Sequence, residues 1–191
     1  AASGGGSFSL QAPSSSSNNR VMTLPDTADG TVLTTTSPKT GNILQVIQSV
    51  KTDISTLSVA TATLSSAIMT VTITPSSTSN KIFLQGYVNA VCGTVGLGFI
   101  FQRGSTDIAL SDANGLRQRR TSSTYANPNT IANLSGVFLD SPSTTSATTY
   151  SLKVCHTSGN TQTIIINDNA QSDQAKFINT ICSLTAMEVA G

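Results

Sequence analysis

The chain has 191 residues, of which 38% are hydrophobic and only 10% charged, whereas about 25% are charged in an average soluble domain. The net charge is +1 and no stretch reaches the ~20 apolar residues of a membrane span, which argues against nucleic-acid binding and membrane insertion. Hydroxyl residues replace charges, with 28 Ser and 29 Thr beside a single Glu. Threonine, valine and isoleucine favour sheets, so the composition predicts an all-β protein whose low-charge surface tends to self-associate.

Residues 1–38 predict a separate, extended N-terminal stalk or arm. A flexible Gly/Ser-rich start precedes three short extended pieces at residues 8–12, 20–24 and 30–34. Pieces of four or five residues cannot bury a core within one chain. We expect copies from several chains to wrap about a common axis; the alternative is a loosely attached arm.

Residues 39–191 predict the head domain, which begins with strand-like runs. Residues 42–51 predict a strand and residues 52–66 an edge strand or loop. Three runs between residues 67 and 101 then alternate apolar with polar or small residues. Because turn residues separate these runs, we expect them to form one antiparallel sheet with one buried face. The expected buried side chains are Met69, Val71, Ile73, Ile82, Leu84, Val88, Ala90, Cys92, Val95, Leu97, Phe99 and Phe101.

The second half of the chain continues this pattern after an irregular stretch at residues 102–130. That stretch predicts a hairpin tip at residues 103–106, a short returning strand at residues 108–110, and then a basic, polar loop. Strand patterns resume at residues 131–139, 150–156, 163–167 and 177–189. Strands at this spacing, with no helical pattern between them, predict an antiparallel β-sandwich or jelly-roll-like head.

The sequence offers few groups for chemistry, and we expect no catalytic residue, cofactor or metal. The one histidine, His156, ends an alternating strand, where local hydrogen bonding is the common role. Asp168 and Asp173 share a polar loop without the spacing of a calcium site. The cysteines, at 92, 155 and 182, lie in apolar runs and are expected to be buried free thiols.

Arg117, Arg119 and Arg120 form the one basic cluster of the sequence, and Tyr125 follows them. Arginine forks bind carboxylates and phosphates, but three charges without a wider basic patch do not indicate a nucleic-acid site. Such a cluster favours a solvated loop or salt bridges between subunits. The functional alternative is a partner-contacting loop formed by these arginines, with Tyr125 as its aromatic anchor.

Several short stretches, spread over most of the chain, form a recognisable set. They are Asn19-Arg20-Val21-Met22-Thr23-Leu24-Pro25-Asp26, Gly30-Thr31-Val32-Leu33, Lys39-Thr40-Gly41-Asn42-Ile43-Leu44-Gln45-Val46, Lys51-Thr52-Asp53, Ile73-Thr74-Pro75-Ser76-Ser77-Thr78-Ser79-Asn80-Lys81-Ile82, Arg103-Gly104, Asp140-Ser141-Pro142, Thr148-Thr149-Tyr150 and Leu184-Thr185-Ala186-Met187-Glu188. Taken together, these stretches resemble fibre-like virion proteins of tailed bacteriophages.

This resemblance implies a non-enzymatic virion component, commonly a homotrimer with a thin stalk and a β-sandwich head. It would be assembled in the host cytoplasm, contact other virion proteins through its N-terminal region, and meet a host-surface glycan or protein through its loops. The tail or the head of the particle could carry it. The alternatives are a capsid decoration or cement protein of the same fold, or a secreted carbohydrate-binding β-sandwich module unrelated to viruses.

Overall fold

A computed structural model describes residues 38–169 and 178–191, which form eleven β-strands and no helix. Among these residues, therefore, no helix is long and apolar enough to cross a membrane. Pro38 apart, the predicted stalk lies outside the described residues, and the division at residue 38 stays a prediction. The strands are β1 (Ile43–Lys51), β2 (Ser55–Val59), β3 (Met69–Ile73), β4 (Lys81–Val91), β5 (Gly96–Arg103), β6 (Thr106–Ile108), β7 (Ser122–Tyr125), β8 (Ala132–Asp140), β9 (Thr148–His156), β10 (Gln162–Ile166) and β11 (Cys182–Val189).

The strands form two antiparallel sheets packed face to face. In the first sheet β1, β11, β4 and β8 lie side by side, and β10 pairs with the far end of β4 and with β2. In the second sheet β3, β9 and β5 are neighbours, and β7 and β6 pair with successive parts of β5. Without β2, β6 and β10, the order is β1-β11-β4-β8 facing β3-β9-β5-β7. This is the strand order of a jelly roll, so the predicted β-sandwich or jelly-roll head is confirmed.

The expected single sheet of the three runs at residues 67–101 is wrong in its pairing. Strand β4 belongs to the first sheet, whereas β3 and β5 belong to the second, where both pair with β9. The predicted inward faces are nevertheless correct, because every expected core residue within β3, β4 and β5 is buried, as is Cys92. Val95, which precedes β5, is only partly buried. Alternation identifies the buried face of a strand, but two facing sheets produce the same alternation as one.

The core between the sheets depends on two glycines that oppose each other across β4 and β8. Gly86 pairs with Gly136, and both strands belong to the first sheet. From the second sheet, Phe101 and Phe99 fill the space that these glycines leave, and a Cβ on Gly86 would lie 2.8 Å from Phe101 Cε1. The two rings meet edge to face, with centroids 5.4 Å apart. The missing side chains of one sheet therefore hold the aromatic rings of the other.

A buried polar group also joins the two sheets. Asp140 ends β8 in the first sheet, while Arg103 and Tyr150 lie on β5 and β9 of the second. The Arg103 Nη1 donates to both carboxylate oxygens of Asp140 at 2.9 Å, and the Tyr150 hydroxyl donates to Oδ2 at 2.6 Å. Burial, with a further contribution from the hydrogen bond to Asp140, raises the pKa of Tyr150 far above its usual value. The buried negative charge of Asp140 is thus stabilised by donors from two strands of the opposite sheet.

The one glutamate, Glu188 on β11, is almost fully buried and accepts hydrogen bonds from three other residues. The donors are the side-chain amides of Gln45 and Asn80, both at 2.5 Å, and the backbone N–H of Ser76 at 2.6 Å with its hydroxyl at 2.8 Å. Burial alone would raise the pKa of Glu188, but these donors together lower it below 4.5. The carboxylate fastens the 74–80 loop to the last strand.

The structure also tests the predictions for the cysteines, for residues 52–66 and for Tyr125. The three cysteines are buried and free, as predicted. The polar stretch at residues 52–66 contains a short edge strand, β2, consistent with one of the two alternatives. Tyr125, placed by the sequence in a loop, instead ends the strand β7. That strand reads Ser-Ser-Thr-Tyr and has no apolar alternation, so periodicity could not reveal it.

Candidate functional site

A groove of about 360 Å³ lies on the outer face of the second sheet. Its floor is the outer side of β5 at Gly96 and Gly98, where the sheet lacks side chains. In register, Gly98 lies between Ser123 of β7 and Cys155 of β9. The hydroxyl of Thr157 lies beside Gly96 and accepts a hydrogen bond from the Gly96 N–H at 2.9 Å. The result is a small depression in a sheet, bordered by hydroxyl groups.

The wall of this groove comes from the loop at residues 109–121, chiefly from Gln118 and Arg120. The aliphatic stem of Arg120 lies over Gly98, where an added Cβ would meet its Cγ at 3.3 Å. Its guanidinium donates to Cys155 Sγ at 2.7 Å, to the Arg119 carbonyl at 2.6 Å and to the Gln118 side-chain oxygen at 2.7 Å. These bonds fix the guanidinium and use three of its five N–H groups.

Of the four predicted contact residues, the structure places Arg120 in the lining of this groove. Tyr125 does not line it, but its backbone pairs with the lining residue Gly96. Tyr125 is 70% exposed, and its hydroxyl donates to the Thr94 carbonyl at 3.3 Å. Arg119 instead fastens the loop by donating to the Ser111 carbonyl at 2.5 Å. Arg117 is exposed in a turn away from the groove lining.

The sequence prediction missed the floor and the hydroxyl border of the groove. From the sequence, Gly96 and Gly98 were recognised only as small residues that alternate with Leu97 and Phe99 along a predicted strand. Two glycines at spacing two on a strand leave one face without side chains, and this was the available signal. No sequence pattern predicted that Thr157 and Gln118 would line the groove, because their positions depend on which strands become neighbours.

A second feature is the outer face of the first sheet, which we name the β1–β8 face. It is defined by three rows of four residues across strands β1, β11, β4 and β8. The rows are Val46-Met187-Phe83-Leu139, Gln48-Thr185-Gln85-Val137 and Val50-Ser183-Tyr87-Ser135. None of these twelve positions carries a charged side chain.

Much of this face is apolar and exposed. Five of its side chains, and Ile43 at its border, are between 40% and 60% exposed: Ile43, Val46, Val50, Tyr87, Val137 and Leu139. With about half of each large side chain exposed, the face presents on the order of 500 Å² of apolar surface, near the top of the range for a monomer. A patch of this size is typical of an interaction surface.

The residues considered for chemistry lie elsewhere. His156 is fully buried; its Nε2 lies 2.8 Å from the Val59 carbonyl and its Nδ1 accepts the Ser158 N–H at 3.1 Å. Asp168 accepts the N–H of Asn169 at 2.7 Å, while Asp173 lies outside the described residues. In the part of the chain that the structure describes, no three His, Cys, Asp or Glu side chains gather as metal ligands would.

Comparison with known proteins adds little to this geometry. No protein-family model and no curated protein matches the chain. One similar solved chain belongs to the "Structure of infectious bursal disease virus Gx strain", with a TM-score of 0.42 and 10% identity. The match covers 90% of this chain and 41% of that one. Similarity at this level carries no argument about function, which therefore has to be argued from the surface features.

Proposed function

We propose that this protein is a non-enzymatic virion structural protein, a homotrimeric fibre component that contributes to attachment of the particle to a host cell. The observation that carries the proposal is the uncharged, apolar β1–β8 face. Because exposed apolar surface of this extent is costly in water, a protein that keeps it gains free energy by covering it. Jelly rolls occur in viral capsids, which agrees with this role but also with lectins.

A second copy of the chain is the occupant we propose for the β1–β8 face. One partner in a standard protein interface contributes about 800 Å², so the face supplies the larger part of what is needed. The absence of charge from its three rows favours an equally uncharged partner, and the chain itself has such a surface. Three copies are the number that the resemblance to fibre-like virion proteins implies.

The test is the mass of the full 191-residue chain in solution, measured by light scattering over a dilution series. We expect three times the subunit mass of 19.7 kDa at micromolar concentration. Val137→Lys, which places a charge at the most exposed large hydrophobic residue of the face, should shift the protein to monomer. Ile54→Lys is the matched control, because Ile54 is 48% exposed but lies outside the face.

A monomeric wild-type chain, or a Val137→Lys trimer as resistant to dilution as the wild type, would overturn the self-association proposal. A monomer is also the result expected if residues 1–37 of the same chain cover the face. Antibody labelling of particles would then separate the two virion roles. Label on fibres supports the attachment role, whereas label spread over the shell would support a capsid decoration protein.

A further inference from the structure

We infer that the groove over Gly96 and Gly98 binds an acidic saccharide, a sugar that carries a carboxylate. This inference deepens the proposed attachment role and rests on it for its biological setting. The groove itself is a separate feature from the β1–β8 face, because it lies on the outer side of the other sheet. Its ligand class follows from its size, its polar groups and its charge.

The size and the border of the groove suit a sugar. Its volume of about 360 Å³ is near the lower limit of small-molecule sites, which is appropriate for one or two sugar rings. Half of its lining residues carry hydroxyls, on β7, on the adjoining loop and at Thr157. Hydroxyls donate and accept, so they can match the alternating donors and acceptors of a polyhydroxylated ring.

The charge of the groove selects an acid. Arg120 keeps two N–H groups free of the hydrogen bonds described above. Within residues 38–169 and 178–191, the ion pairs are Lys51–Asp53 and Arg103–Asp140, so Arg120 has no carboxylate partner there. The loop at residues 109–121 holds three arginines and one aspartate, a balance of +2. A ligand carboxylate would meet a guanidinium already held in place by its neighbours.

Tyr125 supplies the apolar contact that a sugar ring needs. It is the most exposed tyrosine of the chain and lies beside the groove lining, because its backbone pairs with the lining residue Gly96. Its hydroxyl is held by the Thr94 carbonyl, so the ring is oriented without being covered. A fixed aromatic face beside a row of hydroxyls can pack against the C–H face of a pyranose.

The test is binding of the full chain to uronic-acid oligosaccharides and sialyllactose, with maltose and lactose as neutral counterparts, measured by calorimetry. We expect at least one acidic saccharide to bind about tenfold or more tightly than its neutral counterpart, since charge-assisted hydrogen bonds distinguish them. Arg120→Gln should weaken that binding about tenfold or more. Arg117→Gln removes the same charge from the same loop, outside the groove lining, and should leave the affinity within about twofold.

Tyr125→Ser guards against a folding defect in Arg120→Gln, because Tyr125 is largely exposed and its replacement should reduce affinity without lowering the melting temperature. Absence of binding to every acidic saccharide would overturn the inference, as would equal losses in Arg117→Gln and Arg120→Gln or equal affinity for neutral sugars. Light scattering on the same samples keeps the two proposals apart. A trimer that binds no saccharide refutes the groove alone, whereas a monomer that binds one refutes only the trimer.

Discussion

Replacing Gly86 with alanine should destabilise the protein, although alanine is ordinarily the better residue in a strand. Gly86 has no positive φ, so its backbone accepts alanine, and the lost freedom of the unfolded chain would stabilise by about 0.4–1 kcal/mol. Against this, the new Cβ would lie 2.8 Å from Phe101 Cε1 and 3.0 Å from both Phe101 Cζ and Leu152 Cδ2. Such overpacking costs about 1–3 kcal/mol, so we expect a net destabilisation of about 1–2 kcal/mol.

The assay is denaturant unfolding at one fixed protein concentration, because association would otherwise change the apparent stability. A loss of this size lowers the melting temperature by about 2–8 °C in a chain of this length. Gly159→Ala is the matched control, since a Cβ there would meet no atom within 4 Å. It should leave the stability within about 0.5 kcal/mol of the wild type or raise it slightly.

A double-mutant cycle with Phe101→Leu identifies the cause. Leucine lacks the two ring atoms that the Gly86 Cβ would strike, so the pair of substitutions should cost less than the sum of the single ones. Two results would contradict this reasoning. Gly86→Ala could be as stable as Gly159→Ala, or the effects of Gly86→Ala and Phe101→Leu could be additive. In either case the close contact between Gly86 and Phe101 would not explain the loss of stability.

Three further predictions concern the buried polar groups. Glu188→Gln puts an amide donor against the donors of Gln45 and Asn80 and should cost about 1–3 kcal/mol at neutral pH. Because folding lowers the pKa of Glu188, its contribution to the free energy of unfolding is complete above pH 4.5 and is lost as the pH falls from there through the lowered pKa. Unfolding measured as a function of pH should show this loss in the wild type and not in the variant. An alkaline absorbance titration should show that Tyr150 stays protonated until the protein unfolds, and ionisation of Tyr150 in the folded protein would contradict its buried bond to Asp140. A thiol reagent should label the three cysteines rapidly only after denaturation, because all are buried and burial raises the pKa of Cys92 and Cys182; fast labelling of the native protein would refute this.

The strands and their inward faces could be predicted because both are local properties. Alternation of period two in β3 and in the first part of β4 indicates which side chains share a face, and hydrophobicity indicates which face is buried. In β5 and β9, residues of both faces are buried. The arginine loop was visible for the same reason, as a run of one residue type. Strand β7 was not predicted because it has only four residues, three of them Ser or Thr, and its strand structure comes from pairing with β5.

What the sequence by itself determined, then, is an all-β head with a low charge, a set of buried faces and a basic loop. Only the tertiary structure decided that β3, β4 and β5 divide between two sheets, that Gly86 and Gly136 receive aromatic rings from across the core, and that Arg120 lies over Gly98. The physical reason is that pairing joins residues distant in the chain, and it is chosen by the packing of whole sheets. Period-two alternation records burial but carries no information about the neighbour.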